Sequence, residues 1–97
     1  MAGHLRIVRG VAEGATITVV GDFVVGRGET GEGNLQGDPE ISRRHALFRP
    51  TADGRVSVED LGSTNGTFVA DQRVEAPTPV STGTPVRVGQ SVLELQR

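Results

Sequence analysis

The 97-residue chain contains no cysteine, no tryptophan, no tyrosine and no lysine. Without cysteine it can form neither a disulfide, nor a thiolate nucleophile, nor a zinc site built on sulfur. Its only aromatic residues are three phenylalanines, too few to form the stacking platforms that bind single-stranded nucleic acid. The formal net charge of −2 is opposite in sign to the surface that nucleic-acid binding requires. Two histidines, His4 and His45, are too few for most metal cages. We therefore expect no cofactor, no metal and no nucleic-acid partner.

Long apolar runs are also missing. No stretch approaches the roughly 18 apolar residues of a membrane-spanning helix, and the first ten residues lack the pattern of a secretory signal. We therefore expect a cytoplasmic, monomeric protein with no membrane contact. The length suits a single domain over residues 1–97, which can equally be a module excised from a longer protein.

Hydrophobic residues recur at every second position in short runs, which is the spacing of half-buried β-strands. The β-branched residues Val, Ile and Thr dominate these runs, and no window carries the apolar stripe of a helix. The runs are Leu5–Ile7, Ala15–Val19, Val56–Val58, Val86–Val88 and Val92–Leu95. Turn signals separate many of them at intervals of roughly 8–12 residues. The sequence predicts an all-β fold, an antiparallel sandwich or barrel.

Two segments lack this alternation. Residues 28–40 contain four glycines, four acidic residues and almost no apolar side chain, which predicts a long exposed loop. Long loops in compact domains often carry function. Residues 75–85 contain three prolines, which favour an irregular stretch or an edge strand.

Two polar segments lie on either side of the long loop. Arg27 follows Gly26 at the end of an apolar run, and an isolated surface arginine there would be ordinary. Ser42, Arg43 and His45 come directly before another apolar run. Ser42 and His45 invite a nucleophile-and-base interpretation, but residues three apart in an extended chain diverge and no acid is identified that would orient the histidine. A buried histidine that holds the loop by hydrogen bonds is the simpler interpretation.

A third polar segment contains Thr64, Asn65, Gly66 and Thr67. Asn-Gly between strand-like runs predicts a β-hairpin, because both residues tolerate a positive φ. Taken together, the three segments offer arginine forks, hydroxyl groups and an amide. Such a set of donors suits a tetrahedral dianion such as phosphate better than a metal ion or a general base.

The motifs Gly26-Arg27, Ser42-x-x-His45 and Asn65-Gly66-Thr67, in this order and spacing, resemble the forkhead-associated (FHA) domain family. Each motif is weak alone, but their combination in an all-β domain of this length is specific, and the resemblance covers nearly the whole chain. It implies an SMAD-like antiparallel β-sandwich of about eleven strands. It also implies that loops at one end of the sandwich bind a phosphothreonine-containing peptide without catalysis.

The resemblance further implies a role for particular residues. Arg27, Ser42 and Thr64 match the family's phosphate ligands, and Asn65 matches the residue that hydrogen-bonds the peptide backbone beside the phosphothreonine. Arg43 occupies a position from which a side chain reaches the phosphate or the flanking peptide. The residues that match structural supports of the binding loops are Gly26, His45, Gly66 and Thr67.

The implied partner becomes a ligand only after a Ser/Thr protein kinase has phosphorylated it, either in another protein or in the parent chain itself. Glu29, Glu32, Asp38 and Glu40 in the long loop would repel acidic residues near the phosphothreonine, so we expect no preference for an aspartate three residues downstream.

Three alternatives remain. An FHA-type scaffold would associate with proteins, or regulate its own chain, independently of phosphate. A hydrolase would use Ser42 and His45, and a nucleic-acid-binding barrel would have to overcome the acidic charge and the scarcity of aromatic residues.

Overall fold

The alternating runs form two antiparallel sheets in a computed structural model, which describes residues 3–28, 35, 37–51 and 55–96. Within these residues there are ten strands and no helix, and hence no helix with the length and apolar character to cross a membrane. The strands are β1 (His4–Arg9), β2 (Thr16–Thr18), β3 (Phe23–Val25), β4 (Ala46–Pro50), β5 (Val56–Asp60), β6 (Thr67–Val69), β7 (Gln72–Arg73), β8 (Thr78–Val80), β9 (Pro85–Val88) and β10 (Ser91–Gln96).

One sheet has six strands in the order β2-β1-β10-β9-β6-β7, and the other has four in the order β3-β4-β5-β8. Every pairing between named strands is antiparallel. The predicted all-β antiparallel sandwich is therefore confirmed, with ten strands in the described part of the chain where the resemblance implied about eleven.

The core lies between the sheets and follows the predicted alternation. Leu5 and Ile7 on β1 are buried, and their polar sequence neighbours face outwards. The four-stranded sheet contributes Phe48, whose ring is fully buried and supplies the largest side chain of the core. One predicted position departs from the pattern, because Ala15 is exposed and only Ile17 and Val19 of its run are buried.

The proline-rich segment contains β8, which pairs with β5 alone and forms an edge of the four-stranded sheet. An edge position tolerates Pro79, which has no N–H to donate. The prediction of an irregular stretch or an edge strand for residues 75–85 is confirmed for Thr78–Val80, whereas Pro85 begins β9, an interior strand of the six-stranded sheet.

The predicted Asn65–Gly66 hairpin is wrong. β5 belongs to the four-stranded sheet and β6 to the six-stranded sheet, so residues 61–66 cross from one sheet to the other. The tight hairpin lies instead at Ala70 and Asp71, which join β6 to β7 with φ values of 49° and 67°. The Asn-Gly signal describes local backbone conformation, and it carries no information on which sheet the next strand joins.

The prediction that residues 28–40 are exposed holds only in part. Gly37 and Glu40 are exposed, but Leu35 and Asp38 are buried. Glu29 and Glu32 lie outside the described residues. Asp38 therefore does not face a ligand as the composition of the loop suggested.

Candidate functional site

The end of β3 lies against the segment that precedes β4. Backbone hydrogen bonds run from Arg27 N to Ser42 O (3.1 Å) and from Gly28 N to Arg43 O (3.0 Å). Gly26 makes this close approach possible, because a Cβ at that position would lie 2.2 Å from the Arg43 carbonyl oxygen. The long loop thus leaves and re-enters the sheet at neighbouring points, which places Arg27 beside Ser42.

His45 connects this pair of segments to the crossing between the sheets. Its side chain is fully buried, and Ser42 N donates a hydrogen bond to Nδ1 (3.1 Å). Nε2 lies 2.8 Å from the carbonyl oxygen of Gly66. Since a backbone N–H only donates and a carbonyl only accepts, the ring must be neutral with its proton on Nε2. Both ring nitrogens are therefore engaged with backbone groups, one on each loop.

Ser42 makes a second connection between the same two loops. Its Oγ accepts a hydrogen bond from Thr64 N (2.9 Å), and its backbone carbonyl accepts one from Arg27 N. Since Thr64 N uses an acceptor position of the hydroxyl, the Ser42 O–H remains able to donate. Arg27, Ser42 and Thr64 consequently meet at one end of the sandwich.

Asp60 at the end of β5 stabilises the conformation of residues 61–66, which cross from one sheet to the other. Its carboxylate accepts hydrogen bonds from the N–H groups of Gly62 and Ser63 and from the hydroxyl groups of Ser63 and Thr67. Burial acts to raise the pKa of Asp60, but these four hydrogen bonds outweigh it and hold the pKa below its ordinary value. Gly66, whose φ is 87°, donates its N–H to Ser63 Oγ (2.9 Å) and completes the turn.

Asn65 is exposed at the tip of this turn. Its Nδ2 donates to the carbonyl oxygen of Glu40 (2.8 Å), which orients the amide. No other hydrogen bond engages this amide among the described residues, so its second hydrogen can donate and Oδ1 can accept. A donor and an acceptor side by side match the N–H and C=O groups of an extended peptide.

Asp38 attaches the long loop to the six-stranded sheet. Its buried carboxylate accepts hydrogen bonds from Gln90 N (2.9 Å), Ser91 Oγ (2.7 Å) and Glu40 N (2.9 Å). It therefore joins the loop to the β9–β10 turn, some fifty positions away in sequence. Sequence reasoning missed Asp60 and assigned Asp38 to the exposed face of the loop, since no motif includes either residue.

The predicted site residues divide by exposure. Arg27, Arg43, Thr64 and Asn65 are exposed, and Ser42 is half-buried. Gly26, His45, Gly66 and Thr67 are buried beneath them. Across the described residues, no hydrogen bond or ion pair engages the guanidinium of Arg27 or Arg43. The surface is therefore rich in unengaged donors, an arrangement that suits an anion with several acceptor oxygens.

The sequence model of the FHA domain matches residues 23–89 of this chain. The match contains both loops of the candidate site and all of the site residues described in this section except Gln90 and Ser91.

Two curated relatives match almost the full chain. FHA domain-containing protein FhaB of Mycolicibacterium smegmatis is 37% identical over 97 residues, which is 99% of this chain and 61% of the relative. FHA domain-containing protein FhaB of Mycobacterium tuberculosis is 38% identical over 96 residues, which is 98% of this chain and 61% of the relative. The chain thus spans about three fifths of the length of the relatives it matches.

Solved structures agree with this fold. The FHA domain of CT664 protein from Chlamydia trachomatis superposes with a TM-score of 0.89 at 27% identity, covering 100% of this chain and 98% of that chain. The FhaA FHA domain, solved in complex with the intracellular domain of Rv3910, superposes with a TM-score of 0.82 at 28% identity, covering 98% of this chain and 100% of that one.

Proposed function

Because this chain belongs to the FHA domain family, we propose that it is a non-catalytic module that binds a phosphothreonine-containing segment of a partner protein. Another similar structure, with a TM-score of 0.80 at 27% identity, comes from work on phosphothreonine-dependent FHA domain interactions. The phosphorylated segment belongs either to another protein or to the parent chain. The domain acts as a cytoplasmic monomer that reads the product of a Ser/Thr protein kinase.

The observation that carries this proposal is the convergence on Ser42. Its carbonyl and hydroxyl oxygens bind Arg27 N and Thr64 N, so three donor-bearing side chains from two loops share one small surface. A phosphothreonine carries about −1.5 to −2 charges and three acceptor oxygens at neutral pH. Arg27 supplies the planar fork, while Ser42 and Thr64 supply hydroxyl donors.

Two further residues contact the peptide in this proposal. Asn65, already oriented by the Glu40 carbonyl, uses its remaining amide hydrogen and Oδ1 on the peptide backbone. Arg43 is exposed beside Gly28, where its side chain reaches the phosphate or a flanking residue. Gly26, His45, Gly66 and Thr67 keep the two loops at this separation through the contacts described above.

The arrangement of His45 disfavours a hydrolase. A serine nucleophile needs a base within hydrogen-bond reach of its hydroxyl group. His45 Nδ1 instead accepts from the backbone N–H of Ser42, and Nε2 contacts Gly66 O. Neither nitrogen is available to take a proton from Ser42 Oγ.

The proposal is tested with a phosphothreonine peptide library and its unphosphorylated counterpart. We expect selection from the phosphorylated library alone. Arg27→Ala should weaken binding of a selected peptide by at least about tenfold to a hundredfold, because hydrogen bonds to charged groups contribute roughly 1.5–3 kcal/mol each. Arg27→Lys should also weaken binding, since a single point charge replaces a bidentate fork.

Arg49→Ala is the matched control. Arg49 is an exposed strand arginine in an ion pair with Asp22, and it lies outside the candidate site. Its replacement should leave affinity unchanged. If both libraries bind equally, and Arg27→Ala has no effect, the domain is instead a scaffold for phosphate-independent association or regulation within its own chain.

A further inference from the structure

A row of arginine and apolar side chains crosses the outer face of the six-stranded sheet. Strand pairing places Arg73, Phe68, Arg87, Val92 and Arg9 opposite one another, in that order, on β7, β6, β9, β10 and β1. Directly paired residues of antiparallel strands point to the same face. Neighbouring strands lie about 4.8 Å apart, so the row is about 19 Å long with an arginine roughly every 10 Å.

The row borders a groove with an apolar floor. The groove has a volume of about 550 Å³, and its apolar lining consists of Val8, Phe68, Pro85 and Val92. The guanidinium carbon of Arg87 lies 4.2 Å from the centre of the Phe68 ring, a cation–π contact. This contact holds the charged group above the floor, where another molecule can reach it.

Two acidic residues, Asp71 and Glu94, also line the groove. Neither lies within ion-pair distance of an arginine, since the sole ion pair among the described residues joins Arg49 to Asp22 on the other sheet. The guanidinium groups of Arg9, Arg73 and Arg87 therefore have no carboxylate partner in the described part of the chain.

One end of the row adjoins the candidate phosphopeptide site. A Cβ placed on Gly66 would lie 3.2 Å from Phe68 Cε1 and 3.3 Å from Arg73 Cζ. Gly66 directly follows Asn65, the residue assigned to the peptide backbone. A bound chain can therefore pass from the tip of the turn onto the outer face of the sheet without leaving the protein surface.

We propose that this arginine row is a second docking surface, which binds an acidic, partly apolar segment of the same partner beyond its phosphothreonine. This inference rests on the proposed function. A segment in the polyproline II conformation advances about 3.1 Å per residue with three residues per turn. About seven residues therefore cover the row, and acidic residues three apart lie on one face and meet successive arginines. The apolar side chains of the segment pack on the floor formed by Val8, Phe68, Pro85 and Val92.

The test compares three kinds of peptide by isothermal titration calorimetry. The first is a phosphothreonine peptide selected from the library. The second carries the extension Glu-Glu-Leu-Glu-Glu-Phe-Glu, placed before the phosphothreonine in one version and after it in the other. A short Gly-Ser spacer keeps the acidic residues away from Glu40. The third carries the same extension with glutamine in place of glutamate. On the wild-type domain, the acidic extension on one of the two sides should tighten binding by about threefold to thirtyfold relative to the unextended peptide and the glutamine peptide. This gain is the one expected for three exposed ion pairs.

The variants then assign that gain to the row. The double variant Arg9→Gln, Arg87→Gln should lose the gain while binding the unextended peptide as the wild type does, and Arg49→Gln should keep the gain. High salt should also abolish the gain in affinity, because the Debye length at about 1 M ionic strength is roughly 3 Å. Equal binding of all three peptides would overturn this inference alone. Failure of the unextended peptide to bind would refute the proposed function, and this inference with it.

A second copy of the chain is the competing occupant. In light scattering across a range of concentrations, the wild-type domain should form no dimer that depends on Arg9 and Arg87. If such a dimer formed, the row would be a self-association surface and the inference would be wrong.

Discussion

Replacing His45 by alanine removes the ring that connects the two loops of the candidate site. The ring is fully buried, and it satisfies Ser42 N on one side and Gly66 O on the other. The variant therefore leaves two backbone groups without a partner and opens a cavity between the loops. Each unsatisfied buried group costs about 1–3 kcal/mol.

The two groups together cost about 2–6 kcal/mol of unfolding free energy, and the cavity adds to this cost. Small domains are stable by only about 5–15 kcal/mol, so this is a large fraction of the total. For a domain of this size, each kcal/mol lowers Tm by about 4–8 °C. We expect the Tm of the His45→Ala variant to fall by at least about 10 °C, with weaker phosphopeptide binding even where the domain remains folded.

The chain supplies its own control for this experiment. His4 is exposed, and its Nδ1 lies at hydrogen-bond distance, 3.2 Å, from Thr18 Oγ1. His4→Ala should change the unfolding free energy by no more than about 0.5 kcal/mol. Thermal and urea unfolding of both variants measure the difference. If His45→Ala cost less than about 1 kcal/mol, His45 would not be holding the loops together and our account of the site would fail.

Three further predictions concern the surroundings of the site. Gly26→Ala should cost about 1–3 kcal/mol, because its Cβ would collide with the Arg43 carbonyl, whereas Gly21→Ala, with nothing within 4 Å, should be nearly neutral in urea unfolding. Because folding lowers the pKa of Asp60, its contribution should be intact above the ordinary value of 3.8 and lost as the pH falls below it. Asp60→Asn should flatten that acid dependence; an unchanged pH profile would contradict the assignment. Finally, a peptide array should show no selection for aspartate three residues after the phosphothreonine, because Glu40, whose backbone carbonyl contacts Asn65, adds a negative charge to the exposed loop. Strong selection for aspartate there would refute this expectation.

The strands and much of the core were predictable from alternation alone. Leu5 and Ile7 illustrate why, since a two-residue period places both side chains on one face of a strand. The residues around them do not form the apolar stripe of a helix. The motifs at Arg27, Ser42 and Asn65 also indicated the correct family. In each case the information is local, within a few residues of the chain.

Features that depend on distant contacts were not predictable. Asp38 has the sequence context of a surface loop acid, yet its carboxylate is buried and accepts hydrogen bonds from Gln90 N and Ser91 Oγ. Asn65–Gly66 has the signature of a hairpin, but the strands on either side join different sheets. The cation–π contact of Phe68 likewise depends on strand order. A single sequence does not encode strand order in any short pattern.

The most direct test of the central claim is the affinity of the domain for one selected peptide, measured with and without phosphate on its threonine. Our account predicts that phosphate strengthens binding by at least about a hundredfold, since several charge-assisted hydrogen bonds depend on it. Arg27→Ala should remove most of that difference. Equal affinities for the phosphorylated and unphosphorylated peptides would contradict the account.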